Sequence, residues 1–286
     1  MNNRKFIYFV LIALLAMGII LGVIILALRN NQEMKINFLD VGQGDAILIE
    51  NGHNQVLIDS GRNGRVVLEK LGRAMPFWDR KIEALIITHP DADHYGGSNE
   101  ILDFYKIENV IKTDATNESG EWLNLVNKIR DKKINEITAT WQTEIVFPAG
   151  ARLKFVYPWN NSLGTSIDRN DSSIVTKLIF GENEFLFTGD LSKEGENLLV
   201  ESNIDIDADF LKIGHHGSKS STTSDFLDKV TPQDAIISVG KNSYGHPHKE
   251  VLDNLKNRTI RIWRTDQDGN IIYKCKNINQ MCQVSR

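Results

Sequence analysis

Apolar residues along most of this chain come in short bursts of alternating or continuous hydrophobics, separated by Gly, Asn, Asp and Pro. That pattern predicts strands and turns. I-N-F-L-D-V (36–41) reads as a strand, and G-Q-G-D (42–45) turns the chain into A-I-L-I-E (46–50). N-G-H-N then predicts a hairpin turn, followed by V-L-I-D-S-G (56–61). Further strands are read at I-E-A-L-I-I-T (82–88), E-N-V-I-K (108–112) and A-D-F-L-K-I-G (208–214). D-A-I-I-S-V-G (234–240), I-R-I-W-R-T (260–265) and I-I-Y-K-C-K (271–276) follow the same rule, and 137–158 is rich in strand residues. I-V-T-K-L-I-F (174–180) and E-F-L-F-T-G-D (184–190) predict a hairpin. Helical spacing appears at 65–74, 98–105, 120–132 and 192–201, and Pro247 suits the first residue of another helix. Helices are thus interleaved with strands in two successive halves.

The N-terminus departs from this pattern. Residues 6–28 are 23 consecutive uncharged positions, enough to span a bilayer. The run is longer than a signal-peptide core and lacks a convincing cleavage site, so an uncleaved anchor is expected. Arg4 and Lys5 precede it, which with the free N-terminus predicts a cytoplasmic N-terminus and an extracytoplasmic globular part. Residues 1–5 would be a short tail, 29–35 a polar linker and 36–286 the globular domain. The two cysteines, Cys275 and Cys282, flank a possible hairpin. A disulfide in an exported domain and two free thiols are both compatible with that spacing.

Composition changes the picture only in what it excludes. With 286 residues, 24% charged positions and a net charge of −4, the chain has no global basic field to attract nucleic acid. A nuclease stays possible because bound metals add local positive charge. The chemistry concentrates in T-H-P-D-A-D-H-Y-G-G (88–97), on a strand-to-helix loop. There His89, Asp91, Asp93 and His94 can converge, and two imidazoles with two carboxylates suit a divalent metal. Asp59, Asp190, His215/His216 and His246 also fall just after predicted strands, which points to one site assembled at the sheet ends. The basic residues near the end of helix 120–132 read as a solvated face, and His53 as a surface residue.

These motifs resemble the metallo-β-lactamase fold hydrolases over nearly all of 36–286. L-D-V-G-Q-G-D-A, N-D-S-S, F-L-F-T-G-D, L-K-I-G-H-H-G-S and Y-G-H-P, in that order, resemble the hydrolase domain of ComEC-type DNA-uptake (competence) proteins. The resemblance implies an α/β fold, a four-layer αβ/βα sandwich, here preceded by one transmembrane helix. It also implies two divalent metal ions. The family's common H-x-H-x-D-H loop carries Asp91 in place of its second His, which shifts preference toward manganese, with zinc still compatible. Carried over by position, His89 and Asp91 hold one metal, Asp93 and His94 the other, and Asp190 bridges. His215 or His216 completes the second ion's ligands, with Asp171 a further candidate ligand. Asp59 orients the loop from behind, and Asp45 lies near the site with a structural role. His216 or His246 could donate the proton to the leaving oxygen, and Ser218, Lys219 and Ser220 could contact phosphate. The implied protein is a membrane-anchored phosphodiesterase or nuclease acting on DNA outside the cytoplasm, alone or with a separately encoded DNA-uptake channel. A phosphorylcholine-esterase-like enzyme for small phosphodiesters is the second reading. A non-catalytic binding module is the third, opposed by the completeness of the ligand set.

Overall fold

The computed structural model of the protein describes residues 3–29, 33–159 and 169–285. Parts of the expected tail and linker, and of the polar stretch 160–173, lie outside the described residues. The apolar N-terminal run forms helix α1 (Asn3–Arg29). Its side chains from Phe6 to Leu21 are largely exposed. Among the described residues no helix is long and apolar enough to cross a membrane. The described side chains of α1 cover 6–22, about 26 Å of helix against about 30 Å of hydrocarbon. The expected transmembrane segment over 6–28 is therefore not supported by these residues.

Beyond α1 the chain builds two sheets. The first contains β1 (Met34–Phe38), β2 (Ile47–Asn51), β3 (Asn54–Ile58), β4 (Lys81–Ile87), β5 (Lys106–Lys112) and β6 (Asn135–Thr138). The second contains β7 (Glu144–Val146), β8 (Arg152–Tyr157), β9 (Val175–Phe180), β10 (Asn183–Phe187), β11 (Phe210–Lys212), β12 (Asp234–Ile237) and β13 (Arg261–Arg264). The chain then returns to the first sheet with β14 (Ile271–Cys275) and β15 (Gln283–Ser285). The strand orders are β15-β14-β1-β2-β3-β4-β5-β6 and β13-β12-β11-β10-β9-β8-β7. The mixed pairing follows connection length. The short β1–β2 and β2–β3 links give antiparallel pairs, and the β3–β4 and β4–β5 crossovers through helices give parallel ones.

Period-two patterning decides which face meets which layer. Ile47 and Ile49 of β2 enter the core between the sheets, as do Phe185 and Phe187 of β10. Leu48 points instead to the layer formed by α2 (Gly64–Ala74), α4 (Ser98–Phe104) and α5 (Gly120–Asp131); α3 (Ala92–Tyr95) is a single turn inside the loop before α4. Leu186 points to α6 (Lys193–Glu201), α7 (Ser224–Val230) and α8 (Lys249–Asn257). These three apolar clusters separate four layers, an αβ/βα sandwich. Helix α8 starts later than its proline suggested: His248 caps it and Lys249 is its first residue. Cys275 and Cys282 are joined as a disulfide, which ties β14 to the segment entering β15.

Candidate metal centre

The site forms where the carboxyl ends of β1, β3 and β4 lie side by side and face the end of the second sheet. Backbone hydrogen bonds stitch three loop segments together. Ser60 N–H donates to the His94 carbonyl at 2.7 Å, Gly61 N–H to that of Asp45 at 2.7 Å, and Asp45 N–H to that of Asp93 at 3.3 Å. Gly44 makes this approach possible. Its φ is +121°, and a Cβ there would stand 2.1 Å from the Asp93 carbonyl oxygen.

Three buried imidazoles are held by one nitrogen and turn the other inward. Asp59 is fully buried, with a left-handed φ of 59°. Its carboxylate accepts from Thr88 N–H at 2.8 Å, from Thr88 Oγ1 at 2.7 Å and from His94 Nδ1 at 2.7 Å. Because Thr88 donates its hydroxyl to Asp59, its oxygen is left to accept from His89 Nδ1 at 3.1 Å. His216 Nδ1 donates to the Ser238 carbonyl at 2.8 Å. Each contact assigns the proton to Nδ1 and leaves Nε2 as the inward atom, the arrangement in which a metal-ligating histidine is oriented by an outer acceptor.

The inward atoms crowd around Asp190. Its Oδ2 lies 3.3 Å from His94 Nε2 and 3.3 Å from His216 Nε2, and Asp93 Oδ2 is 3.4 Å from His216 Nε2. His89 Nε2, His94 Nε2, His216 Nε2 and Asp190 Oδ1 are nevertheless buried without a hydrogen-bond partner among the described residues. Lone polar atoms sealed from water are costly, and these converge on shared points instead of aiming at one another. Two sets, His89–His94–Asp190 and Asp93–His94–His216, each place their ligand atoms within 4.8 Å. The nitrogen and oxygen donors fit divalent ions such as zinc or manganese.

Electrostatics agree. Burial works against charge on His94 and His216, yet Asp190 and its neighbours hold His94 well above the ordinary histidine range and push His216 up to about 9. Burial also opposes ionisation of Asp190, but His216 and His94 keep its carboxyl well below the usual range. For His89, burial and then the adjacent His94 drive the value well down, so this ring is neutral and ready to ligate. Protons on His94 and His216 thus occupy the role that a divalent ion would take over on binding.

One contributor escaped the sequence reading. Lys212 is buried at the end of β11, its Nζ 2.5 Å from Asp45 Oδ2, 3.3 Å from the Gly189 carbonyl and 4.0 Å from Asp190 Oδ1. Asp45 Oδ1 in turn lies 3.5 Å from His216 Nδ1. The pair therefore forms a charged floor beneath the ligand cluster, and Asp45 is more intimately placed than a turn residue.

Other expected residues stand at the rim. Asp91 caps α3 half-exposed, 3.8 Å from His89 Nε2, with its other oxygen 3.3 Å from Arg169 Nε. Burial raises its carboxyl pKa despite Arg169. Asp171 does not join either ligand set: its Oδ1 accepts from Ser192 Oγ at 2.5 Å and from Ser192 N–H at 3.3 Å, so that carboxylate is committed to the start of α6. The sequence left open which of His215 and His216 faces the cluster, and the backbone separates them. Both have left-handed φ, 48° and 55°, a conformation that costs about 1–3 kcal/mol per residue and here sends the two rings in different directions. His216 enters the cluster. His215 stays partly exposed, 3.9 Å from Asp190 Oδ2, its Nδ1 3.3 Å from Ser220 Oγ. His246 is set further out, 5.5 Å from the His215 ring centre to centre. Burial and the neighbouring His215 lower it to about 4. Ser218 bonds Ser220 through their hydroxyls at 2.9 Å on the loop that continues to Lys219's exposed side chain.

Comparisons with known proteins place this geometry. The chain is 32% identical over 265 residues to "ComE operon protein 3" of Bacillus subtilis (strain 168), covering 86% of this chain and 34% of the relative. It is 31% identical over 241 residues to "Recombination protein 2" of Haemophilus influenzae, covering 83% of this chain and 28% of that one. The chain thus spans about a third of the length of the curated relatives it matches. Among solved structures, the metallo-β-lactamase fold protein YhfI from Bacillus subtilis aligns with a TM-score of 0.56 at 13% identity, over 85% of this chain and 100% of that one, a likeness of fold. A family model described as the metallo-beta-lactamase superfamily matches residues 39–241, which include every residue of both ligand sets, and the chain belongs to that superfamily.

Proposed function

We propose that this metallo-β-lactamase fold hydrolase is a metal-dependent phosphodiesterase that cleaves DNA, with 36–286 as its catalytic domain. The observation that carries the reading is the convergence of unpartnered, buried ligand atoms around Asp190 at the mouth of the sheets. The printed names of relatives supply the substrate class: one is "Competence protein ComA" of Neisseria gonorrhoeae, 27% identical over 239 residues, and competence is the uptake of DNA. Membrane attachment through α1, with the domain outside the cytoplasm and a DNA-uptake channel as partner, belongs to the same proposal.

In this reading His89, His94, Asp190, Asp93 and His216 hold the ions, with Asp91 joining from the rim. Divalent ions bound there supply Lewis-acid charge to the phosphoryl oxygens and lower the pKa of an attacking water. Asp59, Thr88 and the Ser238 carbonyl keep the rings aimed. The Asp45–Lys212 pair holds His216 and the Gly189–Asp190 turn from below. His215, outside the cluster and partly open to solvent, is positioned to give a proton to the leaving oxygen, with Ser218 and Ser220 against the phosphate. Arg169, beside Asp91, offers a further cation.

The test is turnover by the full chain in detergent with manganese or zinc, on single-stranded DNA, duplex DNA and bis(p-nitrophenyl) phosphate. DNA cleavage that disappears in His89→Ala and Asp190→Ala supports the proposal. Retained activity in Asp190→Ala would sink the site, and cleavage of the small ester alone would transfer the reading to small phosphodiesters. Carbonate extraction of membranes, with a periplasm-type reporter fused after Arg286, tests the attachment.

A further inference from the structure

A cavity of about 270 Å³ lies beside the metal centre, between the loop that follows His216 and the helices α6 and α8. Lys193, Lys219, Thr223, Ser224 and Glu250 line it. Its wall is fixed without help from the two lysines. The buried Glu196 carboxylate accepts from the Thr222 and Thr223 N–H groups at 2.5 and 2.8 Å. Ser221 Oγ donates to the Gly214 carbonyl at 2.8 Å, Lys193 N–H to that of Ser220 at 2.8 Å, and Asn254 Nδ2 to that of Thr222 at 3.3 Å. Neither lysine forms an ion pair through its ammonium among the described residues, whereas Lys70, Lys81, Lys112, Lys128, Lys177 and Lys212 each do. Two ammonium groups with no ion-pair contact therefore line one built hollow, with Glu250 on its other side.

The hollow is next to the chemistry. Ser220 Oγ is 3.3 Å from His215 Nδ1, and the other nitrogen of that ring is 3.9 Å from Asp190. One imidazole thus separates the lysine-bearing loop from the metal cluster. A polynucleotide must bring several phosphates to an acidic chain with net charge −4, and only one of them can sit on the metals. Cations beside the cluster are what a neighbouring phosphate requires.

We propose that Lys193 and Lys219 form a second phosphate subsite, which takes a backbone phosphate of the substrate strand one or two nucleotides from the scissile bond. The proposal rests on the phosphodiesterase reading and makes it specific to polynucleotides, because a small diester fills the metal centre without reaching the cavity. A lone charge-assisted contact corresponds to about a tenfold change in affinity.

The experiment uses the full chain, its Lys193→Ala and Lys193→Arg variants, and a fluorescein-labelled phosphorothioate oligothymidylate that resists cleavage. Anisotropy reads affinity across a range of salt, and bis(p-nitrophenyl) phosphate turnover reads the centre itself. Lys193→Ala should weaken oligonucleotide binding about tenfold and flatten the slope of log affinity against log salt by about 0.7, the loss of one single-strand phosphate contact. Lys193→Arg should restore both, and turnover of the small diester should match the wild type in each. Unchanged affinity and slope, or an equal loss on the small diester, would overturn the subsite. Wild-type protein that binds the oligonucleotide with this lysine dependence yet leaves DNA uncut would remove the DNA-cleavage reading and keep the subsite; no binding at all would remove both.

Discussion

Two lysines of the second sheet are buried almost completely, and they teach different things. Lys177 on β9 meets Glu184 at 2.8 Å and Asp205 at 2.9 Å, but those carboxylates are 26% and 75% exposed. Its charge is neutralised by groups that keep their water, so the cluster is a seam between β9, β10 and the surface. Lys212 on β11 meets Asp45, and both side chains are sealed, at 0% and 2% exposure. Desolvating both members of a pair costs several kcal/mol per ion before their attraction is counted. Such a pair needs a reason to exist, and this one lies under Asp190 and His216. Burial of a charge alone is therefore weak evidence of function; burial of the charge together with its partner, against unpartnered ligand atoms, is strong evidence.

The comparison can be broken most forcefully at Lys212. Lys212→Met strands the Asp45 carboxylate in the interior and should cost about 3–5 kcal/mol in chemical denaturation. It should also weaken metal binding about 10–100-fold by calorimetry, the usual effect of losing an outer partner of a ligand. Asp45→Asn combined with Lys212→Met should recover much of the stability but little of the metal affinity. Full recovery of both would show the pair to be a seam like that of Lys177.

Protonation sharpens the same contrast, with the next largest effect. His94 is held well above the ordinary histidine range and His216 up to about 9, and a protonated imidazole cannot ligate. Metal affinity should rise with pH from 6 toward 9, by about tenfold per unit for each proton released. A flat profile would contradict the shared-point geometry.

Glu196 is also buried, and among the described residues its carboxylate has no cation bonded to it, only the Thr222 and Thr223 N–H groups and the Thr223 side chain. Burial raises its carboxyl to about 7 against those bonds. A raised carboxyl favours the protonated fold, so this contribution is present at low pH and lost as pH rises from about 4.5 through about 7. Glu196→Gln should therefore flatten the stability profile across that window by about 1–3 kcal/mol, as read by urea unfolding at several pH values. An unchanged profile would deny the carboxyl its raised pKa. The smallest effect is expected at Lys177→Met, about 1 kcal/mol or less in stability, with metal affinity and turnover unchanged. A loss of metal binding there would erase the distinction between the two lysines.

Much of this was legible before any coordinates. The short apolar bursts predicted most strands of both sheets; that Leu48 and Leu186 face the outer helices emerged only with the packing, because alternation alone does not say which layer covers which face. The His and Asp cluster after β4 was legible because four such residues fall within six loop positions. Lys212 was not. It ends a strand in the ordinary alternation of L-K-I, and only the packing of Asp45 from a loop 167 positions earlier makes it interior. Nor could the choice between His215 and His216 be read, since it depends on two left-handed φ angles in non-glycine residues. Asp171 was out of reach for a similar reason: its short helical turn points the carboxylate to Ser192, 21 positions on at the start of α6, a contact that the R-N-D-S-S pattern does not announce. The start of α8 moved because His248, rather than Pro247, marks the boundary.

The direction of β1 has a consequence for access. The chain leaves α1 and enters β1 at Met34, and β1 runs parallel to β3 and β4 through two antiparallel neighbours. Its first residue is therefore at the opposite end of the sheet from the ligand loop, with five residues of strand between, a height of about 17 Å. The mouth of the site therefore opens at the end of the sheet opposite the point where the chain enters the domain, so a long substrate meets the candidate centre without passing that entry.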